Sequence, residues 1–434
     1  MVTDRLQRIL GVGFGLAVIV GSTIGVGILR TPGLVAAQLG TAGAILVVWI
    51  VGGLYTLLGS VCLTELGTML PQAGGYYVYA RRAFGDGAGF AVGWTDWLTY
   101  CAVLGYVSIG LAEFLAVLVP RLAGAVTPVA IAALLAFVVL QWRGVRVSSR
   151  FQEVATAIKF AAFLALVAAC LLVGRTGSAD AAAPAPATFY GVIIALQSVV
   201  ITYGGWQSAL YFAEEDTDPA RNLPRSMIGG LASVIAIYFL VNVALLRVLP
   251  IPALAHATLP AADAAQIVTG RNGSRAIVVL SIVSLAPLLN AVMMIGTRVM
   301  YAMGRDGFLP PQVARVNAGG TPTVAISITT VVAVALIATG TFQKLVAVAS
   351  FFLAANYFVC CLALVVLRQR EPALVRPFRA WGYPYSAAVV IAGAAAFLVS
   401  ALIADTPNAA VAVALAAAGI IGHIIRRRAL SRRF

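Results

Sequence analysis

Apolar stretches about twenty residues long return again and again along this chain, separated by short segments that carry nearly all of its charge. A bilayer's hydrocarbon core is roughly 30 Å thick and takes about 20 apolar residues per helical crossing. Of the 434 residues, 61% are hydrophobic and 10% charged, and the mean hydropathy is +0.98. No water-soluble domain of this length has that balance. Runs at 9–29, 40–69, 87–119, 124–141, 151–174, 187–212, 227–249, 275–303, 322–340, 344–367, 383–403 and 408–425 predict twelve transmembrane helices in an all-α polytopic membrane protein.

A net charge of +14 would point to nucleic acid in a soluble protein. Here the basic residues sit in the short connections, where they orient helices in a bilayer, and no nucleic-acid partner is expected. A cytoplasmic N-terminus leaves twenty-one arginines inside, among them Arg5, Arg8, Arg81, Arg82, Arg305 and those of the tail. Seven basic residues fall outside: Arg30, Arg121, Arg175, Arg247, Arg271, Arg275 and Lys344. That excess predicts cytoplasmic termini and an even number of crossings. Arg5 and Arg8 before "ILGVGFGLAVIV" give the start the look of a signal peptide, but the many spans that follow predict a retained first helix.

Cys62, Cys101, Cys170, Cys360 and Cys361 all lie in apolar runs without CxxC spacing, so neither a disulfide framework nor a metal site is expected, and no cofactor. The chain has no HExxH, Walker or GxSxG motif, and its two histidines, His256 and His423, stand near span edges. Those absences argue against a membrane-embedded enzyme.

The first span holds "AVIVGSTIGVGILRTP", with Gly21, Ser22, Thr23, Gly25 and Gly27 at its middle. Backbone leaves a helix inside a membrane only where protein or a water-filled cavity satisfies it. A break there would aim the amides of the second half-helix at an anion and the carbonyls of the first half at a cation. An α-amino acid carries both groups. Close helix packing through small residues is the competing explanation. A second interruption, Gly204 and Gly205 in "ITYGGWQSALYF" of the sixth span, favours transport, because paired breaks in two five-helix halves mark inverted-repeat transporters.

Four motifs then carry a resemblance: "GSTIGVGIL", "PQAGGYYVYARRAFG", "YGGWQSALYFAEEDTDPARNLPRSM" and "RVMYAMGRDGFLP". Together they resemble the amino acid–polyamine–organocation permease superfamily, nearest its L-amino-acid transporter branch, over the first ten helices. The resemblance implies a leucine-transporter-like fold, with residues 1–174 and 175–367 as inverted five-helix repeats and 368–434 as two further helices and a basic tail. It implies unwound first and sixth helices around the substrate, with Val20 to Gly27 (Val20, Gly21, Ser22, Thr23, Ile24, Gly25, Val26, Gly27) as one wall. The carboxylate is expected at the amides of Gly25, Val26 and Gly27, and the ammonium group at the carbonyls of Val20, Gly21 and Ile201. Tyr203 and Trp206 are expected to line or close the pocket beside Gly204 and Gly205, and Gln207 to tune the side-chain subsite. No cysteine stands in the connection between helices three and four, so no accessory subunit is indicated.

Lys159 lies nine residues beyond Arg150, about 13 Å along a helix and near mid-membrane. A lysine at that depth either faces a partner or cavity, or snorkels to the surface. The resemblance implies a tethered cation standing where sodium-coupled relatives hold a metal ion, reaching carbonyls near Gly21 and Ser22 and polar groups such as Asn290. Whether it is a fixed charge or a proton-coupling group stays open. Glu65, Glu113 and Asp96 are expected to be structural or gating. The run "EEDTDPARNLPR" at the end of the sixth span suggests an inner gate in which acids such as Asp216 pair with Arg5 and Arg8.

The expected function is secondary active transport of L-amino acids, neutral ones above all, by alternating access, as an exchanger or with proton coupling. A polyamine or basic-amino-acid antiporter and a non-transporting nutrient receptor are the alternatives. The bilayer is the secure partner, and a bacterial inner membrane the expected location.

Overall fold

A computed structural model describes residues 6–173, 188–339 and 342–431. In chain order the helices are α1 (Val12–Thr23), α2 (Gly27–Leu39), α3 (Ala42–Met69), α4 (Tyr76–Phe84), α5 (Asp86–Leu118), α6 (Val126–Trp142), α7 (Val145–Val173) and α8 (Phe189–Thr202). A 3-10 helix, Trp206–Phe212, leads into α9 (Pro219–Val248), α10 (Ile251–His256), α11 (Pro260–Thr269), α12 (Gly273–Arg305), α13 (Thr323–Thr339), α14 (Phe342–Arg370), α15 (Tyr385–Ala404) and α16 (Thr406–Ser431). The described residues contain no β-strand.

Among the described residues ten helical segments are long and apolar enough to cross a membrane, or eleven with the pair α1 and α2 taken as one span bent by 47°. Helix α13 is a shorter apolar helix. The architecture is that of a polytopic membrane protein, as the hydropathy predicts. Two boundaries move. The first span continues past residue 29 through Pro32 to Leu39 and ends where Gly40 adopts a left-handed φ of 67°. The motif "PQAGGYYVYARRAFG" contributes its own short helix, α4, between α3 and α5.

Helix α12 is the most enclosed of the spans, packed on α5, α7 and α1, while α6, α15 and α16 expose most of their surface. Small residues let the inner helices close on one another. A Cβ on Gly21 would stand 2.2 Å from Gln152 and 2.5 Å from Thr156, so glycine there lets α1 lie against α7. The five cysteines are buried and free. Helices α10 and α11 pack on α2, α7, α9 and α12 and do not line the cavity described below.

Candidate functional site

Helix α1 stops at Thr23 and α2 starts at Gly27, so the first span is interrupted within its glycine cluster. The sixth is interrupted at Tyr203–Gly205, between α8 and the 3-10 helix. The two interruptions touch. Ser22 Oγ lies 2.9 Å from the Gly205 carbonyl and 2.8 Å from Ser208 Oγ. The hydroxyls of Thr31 and Thr202 lie 2.8 Å apart, tying α2 to α8. Tyr238 of α9 shares one hydroxyl proton between the carbonyls of Thr23, at 2.8 Å, and Thr202, at 3.1 Å. Those are the terminal carbonyls of both broken helices, which a helix end leaves without partners.

Gly205 is required twice over. Its φ is +113°, and a Cβ there would stand 2.6 Å from the Ser22 carbonyl oxygen. Neither the left-handed backbone nor contact with fixed main chain admits alanine cheaply. Gly205→Ala is expected to lower uptake of labelled substrate at least about ten-fold with the protein still in the membrane, a loss of about 1.4 kcal/mol or more; undiminished uptake would show that the two breaks need not touch.

A cavity of about 450 Å³ opens at this junction. Its floor is Ser22, Gly205, Gln207 and Ser208; its walls are apolar, from Val103 and Val107 of α5, Leu285, Leu288 and Val292 of α12, and Leu353 of α14. Gly25, Val26 and Gly27 line it at the start of α2, a helix whose N-terminus has no side-chain cap. Main-chain amides at such an end lack an intrahelical partner. Arg30, Leu34 and Glu113, all exposed, mark the mouth. The only charged side chains along the described lining are Arg30 and Glu113, both at that end.

Several expected residues stand elsewhere. Tyr203 and Trp206 do not line the cavity: Tyr203 is fully buried, donates to the Trp49 carbonyl at 3.2 Å and packs on Trp49 and Tyr238, while Trp206 packs against Tyr357 with its ring tilted. The tight turn through Gly204 and Gly205 rotates both rings away and turns Gln207 inward. Gln207 Oε1 accepts from Tyr357 at 3.0 Å and from the Gly205 amide at 3.2 Å. Val20, Gly21 and Ile24 also lie behind the wall, whereas Ser22, Thr23, Ile201 and Gly204 reach it. The three carbonyls expected to hold an ammonium group already accept hydrogen bonds: Val20 from the Ile24 amide, Gly21 from Lys159 and Ile201 from the Gly204 amide.

Lys159 is fully buried, and its Nζ donates to the carbonyls of Gly21, at 2.8 Å, and Ser284, at 3.0 Å. It is no snorkelling residue. Asn290 is not its partner: six residues further along α12, about 9 Å on, Asn290 bonds Gln152, Gln141 and the Ser148 carbonyl instead.

The cavity lining does not extend to the start of α1, at the end opposite Arg30. There Leu10 and Asp216 form an isolated parallel bridge, with Leu10 N–H donating to the Glu215 carbonyl and Thr217 N–H to that of Leu10, each at 2.9 Å. Arg8 reaches the Asp216 main-chain carbonyl at 2.7 Å, not its carboxylate, which accepts from Asn222 and the Asp218 amide. Burial pushes the Asp216 carboxyl up from its ordinary value, against the pull of those two donors and of Arg8. Arg5 lies outside the described residues. The acids of this run therefore pair mainly with α12: Glu215 with Arg298 and Glu214 with Arg305. Asp306 extends the cluster to Arg81 and Tyr77.

Glu65 is a structural anchor. It is fully buried, takes a two-pronged contact from Arg368 and also accepts from the Ala380 amide. Asp96, also buried, accepts from the Tyr211 hydroxyl and ties α5 to the 3-10 helix. Sequence reasoning missed Tyr238 and the Arg298 pairing; both residues sit in apolar surroundings, where a lone polar side chain was the available signal. Among the described residues no three His, Cys, Asp or Glu side chains gather as metal ligands.

Comparison with known proteins gives a consistent result. The amino acid permease family model matches residues 15–425. The serine/threonine exchanger SteT of Bacillus subtilis is 28% identical over 426 residues, covering 96% of this chain and 96% of that protein. The b(0,+)-type amino acid transporter 1 of Homo sapiens is 28% identical over 94% of this chain and 85% of its own length. The large neutral amino acids transporter small subunit 2 of Homo sapiens is 28% identical over 86% of this chain and 72% of its own.

Proposed function

The chain belongs to the amino acid permease family, within the amino acid–polyamine–organocation superfamily, and from that premise we propose that it transports neutral L-amino acids across a membrane by alternating access. The observation that carries this reading is the meeting of two interrupted helices at the floor of a cavity whose walls are apolar and whose inner lining has no charged side chain. A substrate carboxylate fits the open amides at Gly25, Val26 and Gly27, at the positive end of α2. The ammonium group takes the main-chain oxygens of Ser22 and Ile201, the latter through its second lone pair. An apolar side chain then faces Val103, Leu288 and Val292.

Alternating access needs a wall that opens. In this reading residues 1–174 and 175–367 are the two inverted repeats, α13 is a span like its neighbours, and twelve crossings put both termini in the cytoplasm of a bacterial cell. The mouth at Arg30 is then the outer one and the Leu10–Asp216 contact the closed inner gate. Lys159 holds α1 to α12 as a resident cation would. Exchange of internal for external amino acid is the favoured mode, since SteT, which matches nearly end to end, is named an exchanger. Nothing in this reading assigns a chemical transformation to the chain.

The test is uptake of labelled amino acids into proteoliposomes, with and without internal amino acid and with an imposed proton gradient. Neutral amino acids are expected to enter only when amino acid is inside. Flux driven by protons alone would replace exchange by proton symport, preferential inhibition by basic amino acids or polyamines would overturn the neutral preference, and no flux of any compound would overturn transport itself.

A further inference from the structure

Asp96 lies ten residues into α5, about 15 Å along that helix, and is fully buried. Both of its oxygens meet one hydroxyl, that of Tyr211, at 3.0 and 2.8 Å. Glu65 and Glu215, equally buried, are each paired with an arginine, whereas Asp96 has no cationic partner among the described residues. The titratable groups close enough to interact with it are four phenols and a thiol: Tyr100 of α5 itself, Tyr211 of the 3-10 helix, Tyr76 of α4, and Tyr357 and Cys360 of α14. The rings pack edge to face, Tyr100 on Tyr211, Tyr211 on Tyr76 and Tyr76 on Tyr357, with centres 5.4, 5.6 and 5.9 Å apart. This run of rings meets the cavity at both ends, since Tyr100 lines it and Tyr357 donates to Gln207 on its floor. The hydroxyls of Tyr76 and Tyr100 are buried without a hydrogen-bond partner. Of the other helices on α5, α12 commits Arg298 to Glu215, α13 holds Trp97 through Thr329, α16 stacks His423 on Phe90, and α6 has no titratable residue.

A carboxylate at that depth needs a cation or several strong donors to offset its lost hydration, and one phenol is neither. A neutral acid fits the same place: its O–H donates to the Tyr211 oxygen or to one of the two idle phenols, while its other oxygen accepts. We infer that Asp96 is a proton-binding site, loaded while the 3-10 helix of the sixth span lies on α5 and unloaded when that helix leaves and water reaches the carboxyl. Loading takes one proton from water and forms one O–H bond; unloading returns that proton to water. Asp96 acts through its contact with Tyr211 and does not line the cavity, so it is a positioning residue. The packed arrangement binds the proton more tightly than the opened one, so acid favours the packed state and alkali the opened one. In exchange both directions pass through this step, and the proton then adds pH dependence without net driving force. The motion of the 3-10 helix rests on the proposed alternating access; the protonated acid does not.

The experiment joins infrared spectroscopy to uptake, both on the full-length protein in lipid. Between about pH 6 and 8 exposed carboxyls are ionised, so the carbonyl stretch of a protonated carboxylic acid is expected from Asp96, weakening as pH rises and missing in Asp96→Asn. Asp96→Glu, which keeps the acid, should retain the band at a shifted position and secures the assignment if the asparagine variant does not accumulate. In proteoliposomes loaded with amino acid, exchange by the unsubstituted protein should slow as the internal pH falls, by up to about ten-fold per unit for one linked proton. Asp96→Asn, fixed in the neutral form, should be slow throughout and lose that dependence. Absence of the band from the unsubstituted protein would make Asp96 an ionised anchor for Tyr211 and overturn the proton site while leaving transport standing. A pH profile as steep in Asp96→Asn as in the unsubstituted protein would overturn it too. The band without flux of any amino acid would support the proton site and remove the transport reading instead.

Discussion

Lys159→Ala is expected to reduce amino-acid uptake to less than about a tenth of its normal rate, the largest functional effect of any single change outside the cavity lining. The side chain is fully buried and its Nζ bridges Gly21, in the last turn of α1, to Ser284 of α12. The Gly21 carbonyl is among those at a helix end that lack an intrahelical partner. The Ser284 carbonyl is next to that of Val283, which Pro287 leaves without its helical donor. Alanine would strip both of a charged donor and leave a void, and hydrogen bonds to charged groups are worth about 1.5–3 kcal/mol each. Because α1 forms the floor at Ser22, its looseness is felt at the cavity. Uptake measured across pH also separates two roles: a loss equal at every pH marks a fixed structural charge, and a loss that removes only the pH dependence marks a proton-coupling group. Normal uptake at every pH would exclude both.

The largest expected effect on stability belongs to Arg298→Met. Arg298 and Glu215 are both fully buried and meet through two parallel contacts at 2.9 and 3.0 Å. Arg298 also donates to the Met294 carbonyl and lies over the Phe212 ring, so it joins α12 to the 3-10 helix of the interrupted sixth span. Removing one partner of a buried pair strands the other charge, which costs about 3–5 kcal/mol. Replacing both partners with apolar groups is far milder, because no uncompensated charge remains. Arg298→Met should therefore lower the melting temperature in detergent strongly, and Arg298→Met combined with Glu215→Leu should recover a large part of the loss. A double variant as unstable as the single one would mean that the pair acts through packing instead.

Much of this was legible in the amino-acid order, and for a physical reason. The bilayer imposes a length and a polarity on every crossing, so hydropathy alone locates the spans. Breaking a helix in that setting takes residues that tolerate unusual backbone, so the clusters at Gly21–Gly27 and Gly204–Gly205 mark where the first and sixth spans give way. Lys159 announced itself by depth, because an unpartnered charge there is too costly to leave idle.

What only the tertiary structure decided is which atoms meet. Tyr203 and Trp206 stand within two residues of Gly204 and Gly205, but the turn aims them into the packing and brings Gln207 to the cavity. Asn290 and Ser284 share a helix, yet the roughly 9 Å of helix between them separates the Gln152 cluster from the Lys159 tether. The acids at 214–216 looked like partners for the N-terminal arginines, and two of the three pair with α12, more than eighty residues away. Hydropathy and backbone freedom are local properties, written residue by residue; the direction of a side chain depends on the rotation and depth of its helix among the others, which the whole packed bundle sets.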